Sequence, residues 1–201
     1  EIVKLLLEKG VDLNTGRPLA VACSQQNIEI VKLLLEQKGI NVNTGNKTPL
    51  SIACFKGGVE IVKLLLEQKG IDVNADAPLA AACSQENIEI VKLLLEKGVD
   101  LNTGRPLAVA CSQQNIEIVK LLLEQKGINV NTGNKTPLSI ACFKGGVEIV
   151  KLLLEQNGID VNAKNWRCRD ITPFQIACEN ENVEIVKLLL EQNGIDVNAK
   201  N

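Results

Sequence analysis

The octapeptide EIVKLLLE returns seven times, starting at Glu1, Glu29, Glu60, Glu89, Glu117, Glu148 and Glu184, with successive spacings of 28, 31, 29, 28, 31 and 36 residues. A chain built on such a period has no single set of apolar residues that could close around one centre. Each unit must bury its apolar face against the next, so the period points to a stacked, quasi-one-dimensional architecture. A longer period is superimposed, because residues 1–68 recur without change as residues 89–156. A block of three units is therefore present twice.

Every copy after the first is preceded by a second element: RPLAVAC from Arg17 and Arg105, TPLSIAC from Thr48 and Thr136, APLAAAC from Ala77, and TPFQIAC from Thr172. The unit is thus a pair of short helices. Proline opens the first helix at the N1 position, where its missing N–H removes no hydrogen bond and its fixed φ suits a helix start. Thr48, Thr136 and Thr172 precede it and can cap orphan N–H groups with their hydroxyls. Arg17, Ala77 and Arg105 cannot, so those starts are expected to be weaker. In the second helix Ile28, Val31, Leu34 and Leu35 are spaced to cover one broad apolar face. Glu29, Lys32 and Glu36 form the opposite stripe, read as a solvated face with pairs three and four residues apart along the helix. Gly10, Gly39, Gly70, Gly98, Gly127, Gly158 and Gly194 follow as helix stops able to take the left-handed conformation.

The T-P-L-x-x-A first helix, the I-V-x-L-L-L second helix and the G-I-D-V-N exit resemble the ankyrin-repeat family, and the resemblance covers essentially all of the chain. It implies an all-α solenoid of stacked helix-turn-helix units, one array over 1–201 of about six and a half repeats. The second helices are expected near 29–36, 60–67, 89–96, 117–124, 148–155 and 184–191. The chain departs from the family pattern in two ways. It has no histidine, so the fourth position of T-P-L-H holds Ala20, Ser51, Ala80, Ala108, Ser139 and Gln175, with an expected loss of the hydrogen bonds made there. Most spacings fall short of the family's period, and the missing residues lie in the β-hairpin finger, as in NTGRP from Asn14 and NADAP from Asn74. Only the last spacing has room for a full finger, in AKNWRCRDI.

In the family, finger tips and the first helices line a concave groove that holds partner proteins. The resemblance therefore implies that Trp166, Arg167 and Arg169 are aimed at that groove or its edge. It also places there the two residues after each A-C pair: Ser24 and Gln25, Phe55 and Lys56, Ser84 and Gln85, Ser112 and Gln113, Phe143 and Lys144, Glu179 and Asn180. Phe55, Lys56, Phe143, Lys144, Trp166, Arg167, Arg169 and Glu179 are the candidate partner-binding residues. For the two phenylalanines an alternative stays open, in which each ring folds against the neighbouring repeat and fills space left by a clipped finger. The unchanged duplication likewise fits either a bivalent grip on a repetitive partner or a recent copying event without use.

Composition narrows the function classes. Charged residues make up 23%, hydrophobic residues 45% and aromatics only 2%, with a net charge of −2. The core must be aliphatic, and neither a nucleic-acid nor an anionic-membrane surface is expected of a weakly acidic chain. Without histidine the common Ser-His and Cys-His nucleophile pairs are missing. No Walker or dinucleotide glycine motif occurs; Gly57-Gly58 and Gly145-Gly146 fall at the turn between paired helices. Six cysteines, Cys23, Cys54, Cys83, Cys111, Cys142 and Cys178, share one repeat position. Stacked positions lie roughly 8–10 Å apart, too far for a disulfide, and the six are read as small buried hydrophobes in a reducing compartment. Cys168, between Arg167 and Arg169, is an ordinary exposed thiol or a reactive one. The NKT triplets at Asn46 and Asn134 are read as turns leading into a cap rather than glycosylation sites.

The expectation is a non-enzymatic, cytoplasmic protein-protein interaction module of the adaptor or scaffold kind, with no cofactor and no metal. The alternative is a structural spacer with no ligand of its own. The chain opens in the middle of a unit, so a longer parent protein is expected, and its uncapped ends are expected to support self-association by end-stacking.

Overall fold

The computed structural model describes residues 12–164 and 171–199. Among these are twelve helices and no strand beyond the single bridge residue Ile171. They alternate as first and second helices of a repeat, and the chain divides into two compact units, Glu1–Gly104 and Arg105–Asn201. The first unit contains α1 (Pro18–Ser24), α2 (Ile28–Leu35), α3 (Pro49–Lys56), α4 (Val59–Leu66), α5 (Pro78–Ser84) and α6 (Ile88–Glu96). The second contains α7 (Pro106–Gln113), α8 (Ile116–Leu123), α9 (Pro137–Lys144), α10 (Val147–Leu154), α11 (Pro173–Glu179) and α12 (Val183–Leu190).

These helices are too short to be stable alone, since nucleation is costly and seven to nine residues return few hydrogen bonds. Stacking supplies the rest. Within the first unit α1 packs on α3 and α3 on α5, while α2 packs on α4 and α4 on α6. The second unit repeats the pattern with α7, α9 and α11 in one row and α8, α10 and α12 in the other. Leu50, Ala53 and Cys54 of α3 are fully buried, as are Val62 and Leu65 of α4, and the same positions recur along each unit. Burying one such leucine is worth about 1.5–3 kcal/mol. The buried set of the second helix is Ile61, Val62 and Leu65 and their equivalents in α6, α8 and α10. The expected face is therefore rotated, because Ile28 and Ile116, as first residues of their helices, stay 38% exposed.

Capping divides the first helices into two kinds. The Thr48, Thr136 and Thr172 hydroxyls accept the N–H groups of Ser51, Ser139 and Gln175 at 3.2, 3.2 and 3.3 Å. Thr172 and Gln175 also close a capping box, with Thr172 N–H donating to Gln175 Oε1 at 2.8 Å. At Arg17, Ala77 and Arg105 no side chain caps the helix, and the backbone is left-handed, with φ of 55°, 50° and 58°. The residue before each is left-handed too: Gly16, Asp76 and Gly104. Two consecutive left-handed residues turn the chain into the helix within four residues of the exit asparagine (Asn14 to Pro18), against six where a threonine caps (Asn43 to Pro49). At Gly104 the tight turn also excludes a side chain, since a Cβ there would sit 2.4 Å from the Cβ of Ala77. Second helices are capped by Asn27, Asn87, Asn115 and Asn182, whose Oδ1 atoms accept the N–H three residues on at 3.0–3.2 Å. Gly39, Gly70, Gly98, Gly127, Gly158 and Gly194 all take positive φ as helix stops, and Gly10 lies outside the described residues.

Within each unit a polar ladder ties one repeat to the next at its exit. Asn43 Nδ2 donates to Gly70 O at 2.7 Å while its Oδ1 accepts Asp72 N–H at 2.9 Å. Asn14 does the same with Gly39 and Asn41, Asn131 with Gly158 and Asp160, and Asn162 with Gly194 and Asp196. The fourth position of the first helix also reaches across in two repeats, where Ser51 Oγ donates to Asp76 O at 2.8 Å and Gln175 Nε2 to Ala199 O at 2.9 Å. Some of the hydrogen bonding expected to vanish with the missing histidine is thus present. At Asp12 and Asp100 the neighbouring N–H groups and threonine hydroxyls hold the carboxyl below its ordinary value.

The charged stripe of the second helices is solvated, but its pairs run between repeats rather than along one helix. Lys32 meets Glu60 at 3.5 Å, Lys63 meets Glu89 at 2.9 Å, Lys120 meets Glu148 at 3.9 Å and Lys151 meets Glu184 at 3.2 Å. All are about half-exposed, and such surface pairs contribute at most about 1 kcal/mol each.

Two substitutions of opposite sign test this account by urea unfolding. Asn43→Ala removes both bonds of a ladder step and is expected to lower stability by about 1–2 kcal/mol. Ala77→Gly relieves a left-handed alanine and is expected to raise it by about 0.5–1 kcal/mol.

Candidate functional site

The first helices end on the residues that point away from the stack. Ser24 and Ser84 turn their hydroxyls back onto Val21 O and Ala81 O, at 2.8 and 2.7 Å, leaving a bland polar surface. Phe55 and Phe143 break it. The two residues are 52% and 66% exposed, so neither is buried in the stack. Each stands beside a hollow instead. In the first unit the hollow holds about 470 Å³, with Lys47, Ser51, Ile52, Phe55 and Lys56 on one side and Asp76, Ala77 and Ala81 on the other. In the second unit it holds about 380 Å³, with Lys135, Ser139, Ile140, Phe143 and Lys144 facing Ile171, Ile176, Glu179 and Asn180.

The first wall is the same in both because it belongs to the duplicated block. The second wall differs, being a short finger and an alanine helix in one case and the last repeat in the other. Asn180 Nδ2 reaches Phe143 O at 3.3 Å and fastens the last repeat to the end of α9. The structure therefore brings Phe143, Lys144 and Glu179 together around one hollow, and Phe55 with Lys56 around the other. Trp166, Arg167, Cys168 and Arg169 lie outside the described residues.

No buried side-chain nitrogen or oxygen among the described residues lacks a hydrogen-bond partner. Nor does any group of three or more Cys, Asp and Glu among them converge as metal ligands. The thiols of Cys23, Cys54, Cys83 and Cys142 are pushed up to about 12 by burial, which leaves them protonated and poor nucleophiles. Cys111 is buried as well. Cys178 corrects the sequence reading, for it shares their repeat position and is nonetheless exposed. Cys23, Cys54, Cys111 and Cys142 sit on first helices that have a following first helix packed on them within the same unit. No described helix is long and apolar enough to cross a membrane.

The sequence matches the model for ankyrin repeats over residues 1–77, 43–105, 79–165 and 131–201. The chain belongs to the ankyrin-repeat family. Solved ankyrin structures agree with the fold. The human ASB11 ankyrin repeat domain is 31% identical, with a TM-score of 0.71 over 92% of this chain and 86% of that one. An ankyrin repeat domain from Acinetobacter baumannii AYE is 30% identical, with a TM-score of 0.73 over 86% and 96%. The ankyrin repeat protein EF0377 is 31% identical, with a TM-score of 0.74 over 88% and 98%. No curated protein matches the sequence. Ankyrin repeats are in general protein-protein interaction modules, which is the coarse function of this chain.

Several residues of these ankyrin hollows were not singled out in the sequence. Lys47 and Lys135 sit one residue before a capping threonine, a position whose side chain is free to turn outward, and that spacing was the available signal. Ile171 and Ile176 look like core residues and are buried, yet they also line the hollow of the second unit.

Burial predicts a thiol pattern that native alkylation followed by peptide mass spectrometry can read. Cys178 is expected to label at the rate of a free exposed thiol, whereas Cys23, Cys54, Cys83, Cys111 and Cys142 label only at the rate of unfolding.

Proposed function

We propose that the chain is a non-enzymatic ankyrin-repeat adaptor or scaffold module that binds a partner protein through the exposed ends of its first helices, together with the long finger at Trp166, Arg167 and Arg169. The observation carrying this reading is Phe143, 66% exposed beside an apolar-walled hollow with Lys144 and Glu179 at its rim. An aromatic ring left in water on a helix end is unfavourable until something covers it, and aromatic anchors beside cations are favoured at interface hot spots. We take the array to run over 1–201 as one domain, since the family matches continue through residues 104 and 105. Free thiols at Cys23, Cys54, Cys83 and Cys142 support a reducing, cytoplasmic setting. Neither nucleic acid nor a membrane surface fits a chain of net charge −2.

The competing reading is a spacer with no ligand. Substituting Phe143, Trp166 and Arg167 together by alanine is expected to abolish affinity capture of a partner from lysate without changing the circular dichroism of the chain. An unchanged set of captured proteins would favour the spacer.

Self-association through the last repeat is a second mode we propose. Residues 183–201 repeat residues 147–165 without change. Yet Val183, Leu190 and Val197 are 63%, 50% and 47% exposed, while the equivalent Leu66 of the first unit is only 6% exposed beneath the next repeat. End-stacking of a second copy would cover that face. Sedimentation velocity is expected to show concentration-dependent association that Leu190→Glu suppresses; a strictly monomeric profile at high concentration would exclude it.

A further inference from the structure

Resting on the binding reading, we infer that the two hollows beside Phe55 and Phe143 each accept an acidic peptide segment carrying a large apolar side chain. Their volumes, about 470 and 380 Å³, fall within the range of ligand clefts but toward its small end, which suits one bulky side chain and its flanking backbone. Phe55 and Ile52 in one, and Phe143 with Ile140, Ile171 and Ile176 in the other, supply apolar contact. The hydroxyls nearby are already engaged, Ser51 with Asp76 O and Ser139 with Thr136 Oγ1, so the hollows favour an apolar anchor over a hydrogen-bonding one.

Charge identifies the flanks. Lys47 and Lys56 line the first hollow against a single carboxylate, Asp76. Lys135 and Lys144 line the second against a single carboxylate, Glu179. Each rim is thus two cations to one anion in a chain whose net charge is −2. None of these four lysines has a carboxylate partner among the described residues. The lysines of the second-helix stripe, by contrast, are drawn into pairs with the next repeat: Lys32, Lys63, Lys120 and Lys151. A segment with Asp or Glu on either side of its apolar residue would supply the missing counter-charges. Such rim pairs speed association and reject basic partners more than they add affinity, so the apolar anchor sets strength and the lysines set selectivity. A single-stranded nucleic acid is the weaker fit, because stacking platforms need a continuous basic track and each rim here carries a carboxylate beside its ring.

The test uses the full chain and four fluorescein-labelled probes, with binding read by anisotropy. One is a short peptide with a central Leu-Phe pair flanked by glutamates; two others replace the glutamates by glutamine or by lysine; the fourth is oligo-thymidine. The acidic peptide is expected to bind about tenfold more tightly than the glutamine form at low salt, to weaken as salt rises, and to saturate at two per chain. Lys135→Glu with Lys144→Glu should remove one of the two sites, and Phe55→Ala with Phe143→Ala both, with unchanged circular dichroism. Equal binding of the acidic and glutamine peptides, preference for the lysine peptide or for oligo-thymidine, or no binding of the acidic peptide would each overturn the inference. The two readings fail separately: a captured partner lost on Phe143→Ala whose contacting segment is not acidic would refute the peptide chemistry alone, whereas an unchanged set of captured proteins would refute the binding reading.

Discussion

Everything in this chain depends on the contact between one helix pair and the next. A pair of eight-residue helices such as α3 and α4 has too little length to hold itself together. The neighbouring pair completes the burial, so that Leu50, Cys54, Val62 and Leu65 become inaccessible only as members of a stack. Magnitudes rank the other contributions behind this one. A buried leucine is worth about 1.5–3 kcal/mol, whereas each solvated lysine–glutamate pair along the second helices contributes at most about 1 kcal/mol. The asparagine ladder falls between them, fixing the register in which the apolar faces meet.

Finger length sets a second balance. Where the loop from exit asparagine to proline is six residues long, threonine caps the helix in an extended conformation, as at Thr48 and Thr136. Where it is four, the chain reaches the proline only by placing two residues in the left-handed region, and a cap is lost. The short loops therefore combine backbone strain with an unsatisfied helix start. They leave an opening as well. Asp76 and Ala77, with little side chain between them, form the far wall of the hollow beside Phe55, so the loop that weakens the stack also makes room beside the ring.

Much of this was legible in the sequence because it follows from local rules repeated many times. Proline at N1, threonine before it, glycine after the second helix and a period near thirty residues all have one physical reading each. The rotation of the second-helix face was not legible, because Ile28 and Ile90 carry similar side chains and only the neighbouring repeat decides which is covered. The ladder was visible as a recurring asparagine, but its donors and acceptors are backbone groups of the next repeat, which no pattern within one repeat reveals. The inter-repeat direction of the ion pairs was hidden for the same reason. At the candidate site the sequence pointed to Phe55, Lys56, Phe143, Lys144 and Glu179; Lys47 and Lys135 carried only the weak signal of standing before a capping threonine, and the isoleucine wall carried none, since a hollow is a property of two repeats and not of one.

The duplicated block shows how such a hollow acquires specificity. Six positions, Ser24, Lys47, Ser51, Ile52, Phe55 and Lys56, line the first hollow and recur as Ser112, Lys135, Ser139, Ile140, Phe143 and Lys144 in the second. One face of the two hollows is therefore chemically constant. What varies is the repeat that follows: Asp76, Ala77 and Ala81 close the first with small groups, and Ile171, Ile176 and Glu179 close the second with apolar bulk. A stacked array can in this way keep an anchor and its lysines fixed while exchanging the opposite wall, because a helix pair needs only a matching apolar face and a ladder asparagine to dock on its neighbour. Under the proposed binding role, selectivity between related apolar residues would rest on the variable wall, and a preference for acidic flanks on the constant one.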